Sequence, residues 1–259
     1  MRNMKRYLSL AGLAVLTALS ASCDKNGVQD ITAAPAASRV RFFNFGVNAP
    51  GVNFYANDTK MTAVTSATGV ESTNGVAYGS VGANGNYDGL APGQYTLTGK
   101  IAAATDKDLA ISSLSATIAD GKWYSYYLSG FYNTTAKTVE SFIVEDPIPA
   151  LDYSVAYVRF VNAIGNSSPM VLSAKNTTTG VVTPLGAAVA YKSAGAFTSL
   201  PPGVYDLSAR VSGAATDAIV RTGVSFFTGR VYSISARGDM TVTSTTATNR
   251  PFLDNTANR

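Results

Sequence analysis

The amino-acid sequence predicts an all-β protein with two tandem β-sandwich domains, and three observations support this prediction. From Arg39 onwards, short alternating runs of β-branched and aromatic residues are separated by Gly, Pro, Asn and Asp. No window of the chain combines a sustained helical period with helix caps, so helices are expected to be minor. Finally, four segments of the first half recur in the same order in the second half, which indicates a tandem duplication.

The first repeat is predicted to contain about seven short strands, a number typical of a β-sandwich. Each candidate is bounded by residues that favour turns. The stretch before Arg39 lacks an alternating apolar pattern, so no strand is expected there. The candidates are Val40–Phe45, Val52–Ala56, Val76–Val81, Gln94–Ile101, Leu109–Ile118, Lys122–Ser129 and Glu140–Val144.

The second repeat is recognised by four matching segments with shorter loops between them. The matches are Val40–Asn44 with Val158–Asn162, Val76–Tyr78 with Val189–Tyr191, Leu90–Leu97 with Leu200–Leu207, and Gly121–Tyr126 with Gly229–Ile234. Arg41 and Arg159 occupy equivalent, outward-pointing positions in the first strand of each repeat. A salt bridge or hydrogen bond to a neighbouring strand or loop is sufficient to explain an arginine at these positions. Pro147 and Pro149 mark the boundary, because proline lacks the N–H that a strand donates.

Both repeats also carry a Pro-Gly pair shortly before a tyrosine. Pro92-Gly93 precedes Tyr95, and Pro202-Gly203 precedes Tyr205. Proline fixes φ near about −65° and glycine permits the positive φ of a type II turn. We therefore expect a tight corner followed by a core-facing aromatic ring in each repeat.

Several of these segments carry a family resemblance. They are Val40–Asn44, Asn48–Asn57, the turn Leu90–Tyr95 and the strand Gly121–Tyr126. Together they resemble the bacterial module catalogued as domain of unknown function 4397, from about Arg39 to Val144 and more loosely from Ala156 to about Val242. The second copy departs from the pattern at Gly165–Pro169, where an Ala-Pro step is lost. The resemblance implies immunoglobulin-like β-sandwiches in secreted or envelope proteins, often in tandem, and it supplies no known activity or functional residue.

The N-terminal residues have the pattern of a signal peptide that ends at the single cysteine of the chain. Basic residues precede the apolar run Leu8–Leu19, which is too short to span a bilayer as a helix. Leu19–Cys23 resembles a bacterial lipobox, in which the cysteine is acylated and becomes the first mature residue. Lipoboxes usually carry Leu at the position of Ser20. The alternative is an ordinary secretory signal cleaved after Ser20 or Ser22.

The predicted organisation of the chain has five parts. They are a cleaved lipoprotein signal peptide at 1–22, a lipidated cysteine and flexible tether at 23–38, a first β-sandwich at 39–147, a second at 148–245, and a polar C-terminal tail at 246–259. The alternative for part of the tail is that Pro251–Leu253 docks back on the domain. The tether is polar and aperiodic, as is typical of a flexible linker.

The charge of the chain belongs largely to the signal peptide. The full sequence has 20 Lys and Arg against 16 Asp and Glu, a formal charge of +4. Cleavage before Cys23 removes Arg2, Lys5 and Arg6, which leaves 17 basic residues against the same 16 acidic ones. No basic cluster with interleaved aromatic residues exists, so nucleic acid is not an expected partner.

The composition also excludes several kinds of chemistry. The chain has no histidine, so it has no Ser-His-Asp or Cys-His nucleophile system and no His-ligated zinc. Its one cysteine, Cys23, cannot form an internal disulfide. No cofactor is expected.

One strand carries a candidate ligand-binding surface. After Gly121, one strand face is apolar in both repeats, whereas the other carries Trp123 and Tyr127 where the second repeat has smaller residues. Exposed flat rings can stack on sugars, and Phe131 and Tyr132 in the following turn can extend such a surface. The alternative is packing between the two domains, under a loop, or against the C-terminal tail.

A candidate metal site lies at Asp106 and Asp108, which can offer two oxygen ligands to Ca²⁺, with nearby backbone carbonyls completing the site. Lys107 between them reduces the negative charge, and the second repeat keeps only Asp217, so a plain solvated turn is the alternative. Carboxylates are otherwise mostly in turn contexts. An enzyme is therefore not expected, and metal-dependent hydrolysis ranks third among the possible functions.

These observations predict a lipid-anchored cell-envelope protein with a non-catalytic binding, adhesion or structural role at the outer membrane. The alternative is a glycan-binding accessory lipoprotein that uses an exposed Trp123 and Tyr127 face. The expected partners are the membrane, through the acyl chains of Cys23, and a glycan or another envelope protein. The sequence does not distinguish a location on the periplasmic face of the outer membrane from one on its outer face.

Overall fold

A computed structural model describes residues 37–259, which form 18 β-strands and one short 3₁₀ turn at Gly82–Gly85. The strands make four sheets, two in each half of this range. The prediction of an all-β fold built from β-sandwiches is confirmed. No helix among these residues is long and apolar enough to cross a membrane.

The first sandwich consists of an inner and an outer sheet. The inner sheet contains β1 (Arg39–Asn44), β4 (Ser80–Val81), β5 (Asp88–Gly89), β8 (Trp123–Asn133) and β9 (Thr138–Glu145). The outer sheet contains β2 (Val52–Ala56), β3 (Thr59–Lys60), β6 (Gly93–Ile101) and β7 (Ala110–Ile118). The two sheets meet where Phe42 of β1 stacks on Phe54 of β2, with ring centroids 5.2 Å apart and Tyr126 against both.

The second sandwich has the same arrangement of strands. Its inner sheet contains β10 (Ala156–Asn162), β13 (Ser193–Ala194), β14 (Thr198–Leu200), β17 (Val231–Arg237) and β18 (Phe252–Ala257). Its outer sheet contains β11 (Met170–Asn176), β12 (Val182–Pro184), β15 (Gly203–Val211) and β16 (Ile219–Phe226). Phe160, Leu207 and Ile234 are fully buried in its core.

The two inner sheets also share their register. The parallel pair β1–β8 places Arg41 opposite Ser125, and the parallel pair β10–β17 places Arg159 opposite Ser233. Every residue of β1 therefore has a positional counterpart in β10, and every residue of β17 has one in β8. This correspondence supports the predicted tandem repeat.

Both faces of the inner sheets are covered, because the two sandwiches pack inner sheet against inner sheet. Side chains alternate along a strand, so Val40 and Phe42 enter the sandwich core while Phe43 points the other way. Phe43 is nevertheless only 1% exposed. It belongs to a separate buried cluster that joins the sandwiches, formed by Phe43, Phe45, Tyr127, Phe142, Val161 and Ala163. The described residues, 37–259, accordingly belong to one compact unit.

The predicted polar tail at 246–259 contains the last strand of the second sandwich. β18 pairs antiparallel with β17 at six positions, and β9 pairs antiparallel with β8 at seven. Leu253 is 0% exposed and belongs to the second core. The tail prediction is wrong over this strand, because a mostly polar strand with one core residue shows little periodicity in the sequence.

The predicted type II turns are also absent from the two Pro-Gly pairs. Gly93 and Gly203 both have φ of 158°, about twice the value of a type II turn, and each begins a strand. The chain bends at the proline and then enters β6 or β15. The tyrosines that follow differ, since Tyr205 is buried and Tyr95 is half-buried.

Candidate functional site

The predicted aromatic face of β8 is buried. Tyr127 is 0% exposed and stacks between Phe43 and Phe142, with ring centroids 4.4 and 4.9 Å away. Its hydroxyl lies 3.3 Å from Ser235 Oγ of the second sandwich. The prediction that Tyr127 presents its ring to a ligand is therefore wrong, because the second sandwich covers this face.

The other three predicted aromatic residues do not form one surface. Trp123 is half-buried beside Tyr87, with ring centroids 4.9 Å apart. Phe131 is exposed, but it lies eight residues further along β8, about 26 Å away at the rise of an extended strand. Tyr132 is half-buried and packs against the first core. Of the predicted set, Trp123 alone borders the cleft described below.

The predicted metal ligands, Asp106 and Asp108, lie in the loop between β6 and β7. The Asp106 carboxylate accepts a hydrogen bond of 2.6 Å from Lys137 Nζ, so a lysine already neutralises it. Among residues 37–259, no group of three His, Cys, Asp or Glu side chains is arranged to hold a metal ion. A Ca²⁺ ion at these two aspartates would therefore need nearby backbone carbonyls as its further ligands, and this site stays a prediction. Cys23, the predicted lipidation site, lies outside the described residues.

Equivalent residues of the two inner sheets meet across the interface, as in an isologous contact around a two-fold axis. Tyr127 contacts its own counterpart, Ser235. The Ser129 hydroxyl lies 2.9 Å from the Tyr191 hydroxyl. In the reciprocal contact the guanidinium of Arg237, the counterpart of Ser129, lies 5.2 Å from the ring centroid of Tyr78. Differences between the two copies at this interface can therefore be compared position by position.

Arg159, on the second sandwich, has a full set of partners. Its Nη2 forms an ion pair with Asp146, the residue that follows β9 of the first sandwich. Its Nε donates to Ser233 Oγ and its Nη1 to the carbonyl of Glu145, both at 2.9 Å. The guanidinium also lies 4.9 Å from the centroid of the Phe197 ring. Arg159 is buried, and its charge is balanced by a carboxylate.

The carboxylate of Asp146 also has a full set of hydrogen-bond partners. Besides Arg159, its carboxylate accepts a hydrogen bond of 2.6 Å from the Tyr87 hydroxyl and one of 2.7 Å from Ser125 Oγ. Burial and the neighbouring Asp146 raise the pKa of Tyr87, which therefore stays a donor at physiological pH. Three donors hold the carboxylate in place. Its ion pair is with Arg159, and it favours the charge of Arg41 only through space.

Arg41, the counterpart of Arg159, has a poorer set of partners although it is only 1% exposed. Its Nη1 donates to Asn258 Oδ1 at 3.1 Å, and its guanidinium lies 3.8 Å from the centroid of the Tyr87 ring. Its Nε is buried without a hydrogen-bond partner. Burial lowers the pKa of Arg41, which reflects the cost of keeping this charge away from water.

The difference between the partners of Arg159 and Arg41 comes from one pair of equivalent positions. Asp146 and Asn258 directly follow β9 and β18, and these strands have the same register against β8 and β17. The first sandwich therefore supplies Arg159 with a carboxylate, whereas the second supplies Arg41 with a neutral amide. The interface buries two guanidinium groups and one carboxylate, which leaves one positive charge without an acidic partner.

Arg41 lines a cleft of about 500 Å³ between the two sandwiches, which we call the arginine cleft. Arg39, Arg230 and Arg259 line it as well, and no Asp or Glu side chain does. None of the four arginines forms an ion pair within the part of the chain that the structure describes. The remaining lining residues are Gly85, Asn86, Tyr87, Trp123, Ala257 and Asn258.

Neighbouring groups hold three of these arginines in place. Arg41 stacks on Tyr87, and the guanidinium of Arg39 lies 5.0 Å from the centroid of the Trp123 ring. Arg259 Nη1 donates to the carbonyl of Pro149 at 2.8 Å. The Nε atoms of Arg39 and Arg259, like that of Arg41, are buried without a partner. The cleft thus combines ordered N–H donors with a concentrated positive charge, the chemistry of an anion site.

Sequence reasoning placed Trp123 in a ligand surface but missed the arginine cleft. The repeat alignment showed Arg41 and Arg159 in one slot, which was the available signal. The partner of Arg41, Asn258, lies 217 residues away in the predicted C-terminal tail. The partner of Arg159, Asp146, lies 13 residues before it, on the other side of the predicted domain boundary.

The family of the chain follows from a direct comparison. The model of the family described as "Domain of unknown function (DUF4397)" matches residues 38–173, more than half of the sequence. This chain belongs to the DUF4397 family. The DUF4397 match covers the first sandwich and continues into β11 of the second, so it includes Arg41, Asp146 and Arg159 but not Asn258.

Other comparisons add little. No curated protein sequence matches the chain. Among solved structures, one similar chain is described as "The Bacillus anthracis TIE protein"; it is 15% identical, with a TM-score of 0.24. The match covers 78% of this chain and 33% of that one, so the chain spans about a third of the length of its solved relative.

Proposed function

We propose that this DUF4397 protein is a non-catalytic binding protein of the cell envelope, anchored to the outer membrane by lipid at Cys23. The arginine cleft carries the binding part of the proposal. It combines four guanidinium groups, two aromatic rings and a volume of about 500 Å³, which is within the usual range of small-ligand pockets. The lack of any histidine favours binding over acid–base catalysis at this site.

The anchor is supported by the predicted signal peptide, which runs directly into the only cysteine of the sequence. Metabolic labelling with palmitate tests it. We expect the wild-type protein to be labelled and to sediment with outer membranes, and the Cys23→Ser variant to lose both properties. An unlabelled wild-type protein contradicts the anchor, and labelled protein in the inner-membrane fraction contradicts the location.

A glycan ligand is favoured by one specific observation, the half-buried Trp123 at the wall of the cleft. Amphipathic aromatic rings are common in sites that bind sugars and other partly apolar ligands. A glycan array with wild type and Trp123→Ala tests this role. Tyr153→Ala is the matched control, because Tyr153 is 76% exposed and lies outside the cleft lining. Binding that is lost in Trp123→Ala and retained in the control supports the role; no binding to any glycan contradicts it.

A further inference from the structure

We propose that the arginine cleft binds an oxyanion, a phosphate or carboxylate group, which pairs with Arg41 as Asp146 pairs with Arg159. The proposal rests on the binding role given above and deepens it by naming the chemical class of the ligand. It concerns the anionic group itself, whether a phosphate ester or a uronic acid carries it.

The first argument is the comparison of two equivalent arginines in one interface. Arg159 receives a carboxylate from the opposite sandwich, and three of its donor nitrogens find acceptors. Arg41 receives the amide of Asn258, and its buried Nε has no acceptor. A buried guanidinium without an anionic partner is costly, so the protein retains at this position a charge that an incoming oxyanion would stabilise.

The second argument is the composition of the cleft wall. Arg39, Arg230 and Arg259 add three further positive charges around Arg41, and no carboxylate side chain offsets them. Like charges gathered in one cleft destabilise the free protein, and an anion removes that repulsion when it binds. Guanidinium groups also present parallel N–H donors that match the two oxygens of a carboxylate or phosphate.

The third argument is that the donors are ordered before a ligand arrives. Arg41 and Arg39 rest against the rings of Tyr87 and Trp123, and Arg259 is hydrogen-bonded to a backbone carbonyl. Little side-chain entropy is then lost on binding, which favours affinity. Arg230 is exposed, so the cleft is charged both at its buried end and at its surface.

Asn258→Asp is the decisive variant, because it gives Arg41 the carboxylate that Asp146 gives Arg159. The probes are inorganic phosphate, glucuronate and neutral glucose, titrated calorimetrically into the purified full-length protein in a non-ionic detergent. We expect wild type to bind phosphate or glucuronate and not glucose. Asn258→Asp should weaken anion binding about tenfold or more while the protein stays folded. The two anions distinguish a phosphorylated ligand from a uronic acid.

Two controls separate the cleft from general charge effects. Asn133→Asp makes the same change of charge at an exposed turn at the far end of β8 and should leave binding unchanged. Arg230→Gln changes an exposed cleft residue and should weaken binding about threefold to tenfold, whereas Arg210→Gln, outside the cleft, should not.

The remaining outcomes overturn the proposal. One is that the wild-type protein shows no saturable anion binding up to about 10 mM. Another is that the cleft variants and their controls weaken anion binding equally. A third is that Asn258→Asp stays folded and binds the anion with the affinity of the wild type. Binding of neutral glycans that depends on Trp123 but not on Asn258 or Arg230 would remove the oxyanion proposal and leave the proposed function standing. Anion binding without any glycan binding would support the oxyanion proposal and remove only the glycan-binding role of Trp123.

Discussion

Arg41 and Arg159 occupy equivalent positions in two sandwiches that share strand order and register, yet only Arg159 forms an ion pair with an acidic residue. Each guanidinium packs on an aromatic ring, Tyr87 or Phe197, at equivalent positions before β5 and β14. Each reaches across the interface to the residue that directly follows the last strand of the other sandwich. That residue is Asp146 in one case and Asn258 in the other. A one-residue difference therefore separates a structural ion pair from a candidate ligand site.

The largest effect should come from substituting the two arginines separately. Arg159→Met leaves Asp146 buried with an uncompensated charge, and the loss of one partner of a buried ion pair typically costs about 3–5 kcal/mol. Arg41→Met leaves only an amide without its donor, and we expect a cost of about 1 kcal/mol or less. Urea denaturation of both variants measures the difference. Equal costs would show that the two sides of the interface are not electrically different.

The second comparison concerns the last strands, β9 and β18. Leu253 lies opposite Ala236 in the second sandwich, whereas its counterpart Ser141 lies opposite Leu128 in the first. At this pair of positions the leucine therefore lies on the last strand in the second sandwich and on the neighbouring strand in the first. Leu253→Ala should cost about 2–4 kcal/mol, as expected for a fully buried leucine, and Ser141→Ala less than about 1 kcal/mol. The same denaturation experiment checks both. A small cost for Leu253→Ala would mean that β18 contributes little to the core.

These two comparisons also show what the sequence could and could not predict. Val52–Ala56 was predicted with its observed bounds, because its pattern is local and apolar. β18 was missed, since the strand Phe252–Ala257 has few apolar residues and depends on β17 for its hydrogen bonds. Local pattern cannot reveal a strand whose stability comes from its neighbours.

The arginine cleft also shows that local sequence patterns do not predict contacts between distant segments. The equivalence of Arg41 and Arg159 was visible in the alignment of the repeats, and Trp123 was identified as a candidate ligand residue. The burial of the two arginines was not predicted, because it arises when two inner sheets pack together and bring β18 against the first sandwich. For Trp123, in contrast, packing between the domains or against the C-terminal tail was the alternative to a ligand surface. The pairing of Arg41 with Asn258 spans 217 residues of sequence, a distance over which periodicity carries no information.

A smaller effect separates Asp88 from its counterpart. Asp88 lies opposite Val40, and Thr198 takes the same place opposite Val158. Burial raises the pKa of Asp88 from 3.8 to about 6, and its Oδ2 has no hydrogen-bond partner. Because the folded state holds the proton more tightly, Asp88 imposes no penalty below about pH 4. The penalty grows as the pH rises to about 6 and is constant above that value.

Asp88→Asn should remove this penalty. We expect it to stabilise the protein by about 1.5 kcal/mol at pH 7, half of what the full shift would give, because Asp88 is only partly buried. The gain should vanish near pH 4, where the aspartate is protonated in both states. Thermal denaturation of wild type and variant at the two pH values checks it. A gain that does not change with pH would contradict the role of ionisation.

The smallest effect concerns the tyrosines that follow the two Pro-Gly pairs. The Tyr205 hydroxyl donates a hydrogen bond of 2.8 Å to the carbonyl of Pro201, whereas the Tyr95 hydroxyl has no such bond within residues 37–259. Tyr205→Phe should therefore cost about 1 kcal/mol, the usual value of a hydrogen bond, and Tyr95→Phe about 0.3 kcal/mol or less. Both variants keep the ring, so Tyr205 retains its packing on Phe226. Urea denaturation of the pair measures the difference, and equal costs would show that the bond across the bend does not stabilise the second sandwich. A difference in the expected direction would mean that the same Pro-Gly-X-Tyr pattern acts as a hydrogen-bonded corner in one sandwich and as simple packing in the other.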